Sequence, residues 1–425
     1  MENKSYRQLF EGIEQPLTFN QGTSKAVIHF DNGATTPPLK RVVEAVYTGI
    51  LHYGPIGRGT GLKGDYCTEA YEQSKRDILD LFGVGNQPDY SVVYVKNATE
   101  GFNLLASIVG REGMVLTTRM EHHSNDLPWR LQSDVLYADV DEMGKLRIDQ
   151  VIYLFKKHRG RIKYLSVTGA SNVTGYINPI HELAQIAHRY GAKIIVDGAQ
   201  LVAHDSINLA GKTEEEAIDF IVFSAHKVYA PYGTGAIVGR FRKLSTQIPY
   251  MIGGGTVDWV KDETMKLTVS PEVYEAGSPN FLGAIALSTA LKTLQMINYD
   301  EIKQHEKVLR NTLMRQLKQL ERIILYGDTN EESERLAVIV FNVKGISCDV
   351  ISERLAYDYG IQTRFGKFCA HPYVNRLITQ KKNGSQDLVP YYGEYGMVRI
   401  SLGLYNTLEE IDYFMTCMRE ILDKF

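Results

Sequence analysis

Four times along this chain a short apolar run stops at a cluster of polar, chemistry-bearing residues. Tyr90-Ser-Val-Val-Tyr-Val95 leads into Lys96-Asn-Ala-Thr-Glu-Gly-Phe-Asn103, and Gly113-Met-Val-Leu-Thr-Thr118 into Glu121-His-His-Ser-Asn-Asp126. Ala192-Lys-Ile-Ile-Val196 leads into Asp197-Gly-Ala-Gln200, and Phe220-Ile-Val-Phe223 into Ser224-Ala-His-Lys227. Such runs, separated by helical stretches like Ile180 to Tyr190, predict the buried strands of a mostly parallel α/β sheet. Ligands of these sheets lie beyond the carboxyl ends of the strands, where all four clusters fall. The alternation runs from Ala26 to Tyr299. A long helical stretch from Gly283 through Leu320 is expected next, then a smaller α+β part with strands at Leu336–Phe341 and Met397–Ser401. The expected division is a large unit over residues 26–299 and a small domain built from 1–25 and 300–425.

The clusters have a common chemistry. A lysine fixed at the end of a buried strand sheds its proton and can form a Schiff base with a carbonyl cofactor, which a solvated lysine does not; Lys227 is so placed. Asp197 stands where a carboxylate would pair with a protonated pyridine nitrogen, although alone it reads equally well as a helix N-cap. Thr99, Ser224, His226 and the free N–H groups of a helix's first turn suit a phosphate dianion. His122 offers an imidazole to stack on a flat ring. The His122–His123 pair invites a metal reading, but neighbours on extended chain point opposite ways and no nearby cysteine or third histidine completes a zinc set, so no metal is expected. Together these residues predict a pyridoxal phosphate enzyme.

In this order, with His29-Phe-Asp-Asn-Gly-Ala34, Ser171-Asn-Val-Thr-Gly175, Gly253-Gly-Gly255, Glu275-Ala-Gly-Ser-Pro-Asn280 and Arg399-Ile-Ser-Leu402, the chain resembles the class V aminotransferase family of fold-type I pyridoxal phosphate enzymes. Within it, the cysteine desulfurase and selenocysteine lyase branch is most similar. The resemblance implies a large domain around a mostly parallel seven-stranded sheet and a smaller α+β C-terminal domain. It implies that Lys227 bears the cofactor and moves the Cα proton, that Asp197 meets the ring nitrogen, and that His122 stacks on the ring and takes part in catalysis. Gln200 would meet the phenolic oxygen, while Thr99, Ser224 and His226 hold the phosphate. Ala98 stands where the pattern often has a phosphate-binding threonine. Ser278 would reach the phosphate from a partner subunit, implying a homodimer with shared active sites. Arg399, Asn172 and Arg364 would meet the substrate, a planar guanidinium being matched to a planar carboxylate.

The reaction turns on Cys369 in Arg364-Phe-Gly-Lys-Phe-Cys-Ala-His-Pro-Tyr373. A cysteine at this place in the desulfurase pattern takes sulfur from L-cysteine as a persulfide and leaves L-alanine, and Arg364, Lys367 and His371 would favour its thiolate. The branch usually carries Arg-Thr-Gly-His-His-Cys, so Lys367 and Phe368 replace two histidines. An early histidine of the pattern is missing from Gly57–Lys63, and a longer segment, with Lys381–Asp387 and Tyr391–Tyr395, separates Cys369 from Arg399. The alternatives are a class V enzyme without thiol chemistry (a C–S β-lyase, an aminotransferase or an epimerase) and an inactive binding subunit.

Composition bounds the setting. With 425 residues and a net charge of −3, the chain has room for a large core and no bias toward polyanions, so nucleic acid is not an expected partner. Four cysteines without a CxxC pair, and a polar start at Met1-Glu-Asn-Lys-Ser5, predict a reducing, cytoplasmic setting. No run reaches membrane-spanning length. The expected partners are an amino-acid substrate, a second copy of the chain and a sulfur-accepting protein.

Overall fold

The computed structural model describes residues 6–18, 24–57, 60–244, 249–380 and 396–425. Its large sheet has seven strands: β1 (Ser91–Val95), β2 (Met114–Thr118), β3 (Val135–Ala138), β4 (Ile162–Thr168), β5 (Lys193–Asp197), β6 (Phe220–Ser224) and β7 (Gly235–Gly239). They lie in the order β1-β7-β6-β5-β4-β2-β3. β7 is antiparallel to both its neighbours, while the pairs from β6 to β3 are parallel. β1 runs the same way as these five, so six strands end on one edge, and Asn97, Glu121, Thr168, Asp197 and Ser224 stand there together.

β6 and β7 are buried on both faces, as expected of strands covered by helices on either side. The helix Ala98–Val109 lies hard against β6, because a Cβ added at Gly101 would sit 2.6 Å from Val222 Cγ1. Asn97 caps this helix by accepting from the Glu100 N–H, and the Ala98 N–H donates to Ser224 Oγ at 2.8 Å. A helix start is thereby fastened to the end of the neighbouring strand.

A second sheet comprises β8 (Ile323–Leu325), β9 (Val338–Val343), β10 (Arg364–Gly366) and β11 (Met397–Ser401), in the antiparallel order β8-β9-β11-β10. Alternation along β9 and β11 links the two parts of the molecule. Ile339, Phe341, Val398 and Ile400 enter a core with Leu313, Ile351, Phe414 and Met418, whereas Val338, Val340 and Met397 face the main core. Arg399 and Ser401, in phase with Met397, thus turn toward the end of the large sheet.

Two expectations need correction. The stretch from Gly283 through Leu320 is not one helix but two, Phe281–Ile297 and Tyr299–Lys318. Asn298 breaks it at φ 82°, a conformation asparagine tolerates, and its side chain caps the second helix by accepting from the Asp300 N–H. The strand expected at Leu336–Phe341 begins two residues later, at Val338. The long segment 381–395 lies outside the described residues. Among the described residues no helix is long and apolar enough to cross a membrane.

Candidate active site

Beyond the strand ends lies a cavity lined by Lys227, Asp197, His122, Gln200, Ala98, Thr99, Ser224, His226, Asn172, Arg364, Cys369 and Arg399. Ser278 lies elsewhere, in a separate depression with Tyr94, Glu275 and Asn280. Among the described residues no group of three or more His, Cys, Asp or Glu side chains is placed to hold a metal ion.

Lys227 ends a short 3-10 turn that continues β6. Burial pushes its ammonium down to about 8, with Arg399 and Arg364 acting the same way and Asp197 and Cys369 opposing. Burial also pushes the Asp197 carboxyl up, against the Ala199 N–H, which donates to Oδ1 at 2.9 Å, and the charge of Lys227. His122 is held neutral: burial, and then the charge of Lys227, pushes it down to about 3. Its Nδ1 accepts from the Ser124 N–H at 3.1 Å, which leaves the ring hydrogen on Nε2. His226, pushed down to about 4 by burial and then Lys227, lies with its Nδ1 3.2 Å from Thr35 Oγ1.

The hydroxyls are arranged as donors. Ser224 Oγ accepts from the Ala98 N–H, so its own hydrogen is free for an anion. Thr99 Oγ1 is 2.7 Å from Ser124 Oγ, which is 3.1 Å from His122 Nδ1, so a single hydroxyl joins the helix start to the imidazole. Gln200 is fixed by donating from Nε2 to the Gly33 carbonyl at 2.8 Å.

The opposite wall comes from the second sheet. Arg364 on β10 and Arg399 on β11 are cross-strand partners, two like charges that would repel. Asp31 lies between them: Arg399 Nη2 donates to Oδ1 at 2.6 Å, and Arg364 Nη1 is 3.8 Å from Oδ2. Arg399 Nη1 donates to the Asn172 carbonyl at 3.0 Å, and Arg399 Nε is buried without a partner. The fork pictured from sequence is therefore partly occupied, and a substrate carboxylate would meet the remaining N–H groups. Cys369 is exposed at the cavity, whereas Cys67, Cys348 and Cys417 are buried, and none is bridged. His371 packs edge-on against His123, ring centres 4.6 Å apart.

A buried amine lowered toward neutrality, a carboxylate facing the same space, a neutral imidazole and a cluster of hydroxyl donors at a helix start together fit a pyridine aldehyde phosphate. The class-V aminotransferase profile matches residues 28–414. The chain belongs to the class-V aminotransferase family. It is 31% identical to a probable cysteine desulfurase of Xylella fastidiosa over 96% of this chain and 93% of that one. A cysteine desulfurase of Escherichia coli is likewise 31% identical, with 96% of each chain covered. The solved apo structure of a cysteine desulfurase from Thermococcus onnurineus superposes with a TM-score of 0.83 at 31% identity, covering 94% of this chain and 95% of that one. As a class-V enzyme the protein is pyridoxal phosphate-dependent, which agrees with the donor set of the cavity.

Sequence reasoning passed over two residues that organise the site. Asp31 lies within the string His29–Ala34, but its pairing with Arg399 spans 368 positions and leaves no local trace. Ser124 directly follows the histidine pair, and a hydroxyl so close to an imidazole expected to stack was the available signal.

Proposed function

We propose that the protein is a cysteine desulfurase, moving sulfur from L-cysteine to Cys369 and releasing L-alanine, with selenocysteine lyase activity as a side reaction. The observation that carries this reading is the exposed Cys369 on the cavity that also holds Lys227, Asp197 and Arg399. Bound pyridoxal phosphate supplies an electron sink for a carbanion at the substrate Cα. Lys227 Nζ, lowered to about 8, is basic enough to take the Cα proton and free enough of its own proton to do so near neutrality. Asp197 would pair with the ring-nitrogen proton, His122 would stack on the ring, and Gln200 would hold the phenolic oxygen. Thr99, Ser224, His226 and the Ala98 end of the helix would hold the phosphate. Arg399, Asn172 and Arg364 would orient the carboxylate. The Cys369 thiolate then attacks the substrate sulfur. An S–S bond forms, the Cβ–S bond breaks, its electron pair stays with carbon, and that carbon takes a proton to complete alanine.

A homodimer belongs to the same reading. Ile50, Tyr53 and Met251 expose apolar side chains around Pro279 and Asn280, beside or within the depression that holds Ser278. So do a sulfur-accepting partner protein and a reducing cytoplasmic setting, with unbridged cysteines in support.

The test is to incubate the protein with L-cysteine and assay alanine, pyruvate and sulfide, with Cys369→Ala in parallel. Alanine together with a persulfide on Cys369 is expected. Pyruvate, or alanine formed at an unchanged rate by Cys369→Ala, sinks the proposal in favour of a class-V enzyme without thiol chemistry.

A further inference from the structure

Phe368 and Cys369 are consecutive non-glycine residues at φ 50° and 53°, where an L side chain crowds its own backbone. Named bonds hold them there. Asn172 Nδ2 donates to the Phe368 carbonyl at 2.8 Å, the His123 N–H to the Cys369 carbonyl at 2.7 Å, and the Ala370 N–H to the Lys367 carbonyl at 2.8 Å. The Phe368 ring is buried, with the Arg399 guanidinium 5.1 Å from its centre. Two of the three groups assigned to the substrate carboxylate are therefore engaged on Phe368. Arg399 lies over its ring, and the Asn172 amide holds the carbonyl that is bonded to the Cys369 nitrogen.

We propose that Phe368 is a positioning residue through which an arriving α-carboxylate releases the Cys369 thiol toward the substrate. This rests on the functional reading above, with Arg399 and Asn172 at the carboxylate and Cys369 as sulfur acceptor. A carboxylate accepts a hydrogen bond more strongly than a neutral carbonyl, so it takes Asn172 Nδ2 from Phe368. The strained pair then loses one of its holding bonds and relaxes, while the His123 bond keeps the loop attached at the cavity rim. An empty site holds the thiol back, and an occupied one presents it.

The test reads thiol exposure, not turnover. The cofactor-loaded protein is treated with iodoacetamide with and without L-alanine, which brings the carboxylate and no sulfur, and alkylation is followed on the Cys369 peptide. The other three cysteines are buried. L-Alanine should speed alkylation of the wild type roughly five- to tenfold, the equivalent of one neutral hydrogen bond. Asn172→Ala should react at the raised rate without alanine and gain nothing from it. Phe368→Tyr, which keeps the ring and the carbonyl, should retain the response. Phe368→Gly, which adopts positive φ without strain, should lose it. Alanine that shifts the cofactor absorbance to saturation yet leaves wild-type alkylation unchanged or slower overturns the proposal, whether or not the variants fold. Alanine that fails to bind overturns it together with the carboxylate-site reading, whereas Cys369→Ala activity tests the functional reading alone.

Discussion

The two walls of the cavity are built by different means. On the cofactor side, Asp197, Ser224 and Lys227 stand at or just past the ends of strands whose backbone is fixed by neighbouring strands on both sides, and His122 is pinned by the next N–H but one. On the thiol side, Cys369 sits on a loop at positive φ, held by a side-chain amide and a single backbone bond from another element. Position in the first wall comes from sheet register, and in the second from a few replaceable contacts. Of the residues in which this chain departs from the desulfurase pattern, Lys367 and Phe368 lie in the second wall and Ala98 in the first. On the proposed reading, this contrast describes a fixed electron sink with an adjustable sulfur acceptor.

Breaking the cofactor wall should have the largest effects. Lys227→Ala should lower alanine formation from L-cysteine by at least about a thousandfold, because on the proposed reading one amine serves both attachment and proton movement. Asp197→Asn keeps the shape and removes the charge, and should lower kcat roughly a hundredfold with the cofactor still bound, as absorbance would report. The pair also sets a pH profile. Attachment needs the free amine, so the rate at which cofactor-free protein takes up pyridoxal phosphate should rise about tenfold per pH unit and level off above about 8, where burial has placed Lys227. Asp197 opposes that lowering, so its loss in Asp197→Asn should move the midpoint below the wild-type value.

The join between the walls is Asp31, and its removal sharpens the comparison. Asp31→Asn leaves Arg364 and Arg399 as uncompensated cross-strand neighbours, one of them fully buried. The expected cost is about 3 kcal/mol of stability, read by denaturant unfolding. The KM for L-cysteine should rise about tenfold, with a smaller change in kcat, because the charged bond that orients the Arg399 fork is lost. An unchanged KM would mean that Arg399 is oriented by Asn172 alone.

How far the site was legible follows the same division. Strand ends are local signals: an apolar run that stops at Asp197 or Ser224 announces both the strand and the edge, so the cofactor wall could be read from the chain. The thiol wall depends on contacts distant in sequence. Asn172 reaches Phe368 across 196 positions and Asp31 reaches Arg399 across 368, and neither pairing has a periodicity to betray it. The break at Asn298 was hidden for another reason: apolar residues keep helical spacing on both sides of it, and asparagine, one of the residues enriched at positive φ, is also an ordinary occupant of helices' ends. Phe368 drew notice only as a departure from pattern; its place under Arg399 depends on where β11 turns its odd-numbered residues.

The smallest effect should come from Ser124, and the reason lies in how His122 is held. Ser124 Oγ bridges Thr99 Oγ1 and His122 Nδ1, but the Ser124 backbone N–H donates to that same Nδ1. Ser124→Ala therefore removes the link to Thr99 while leaving the imidazole its donor, its tautomer and its orientation. The loss is one neutral hydrogen bond of about 1 kcal/mol, so pyridoxal phosphate should dissociate roughly fivefold faster. The absorbance of the bound cofactor should not shift, because the His122 ring has not moved. A shifted absorbance with unchanged dissociation would reverse the assignment. It would make the hydroxyl, not the backbone, the anchor of His122, and the cofactor wall would then share the dependence on side-chain contacts that marks the thiol wall.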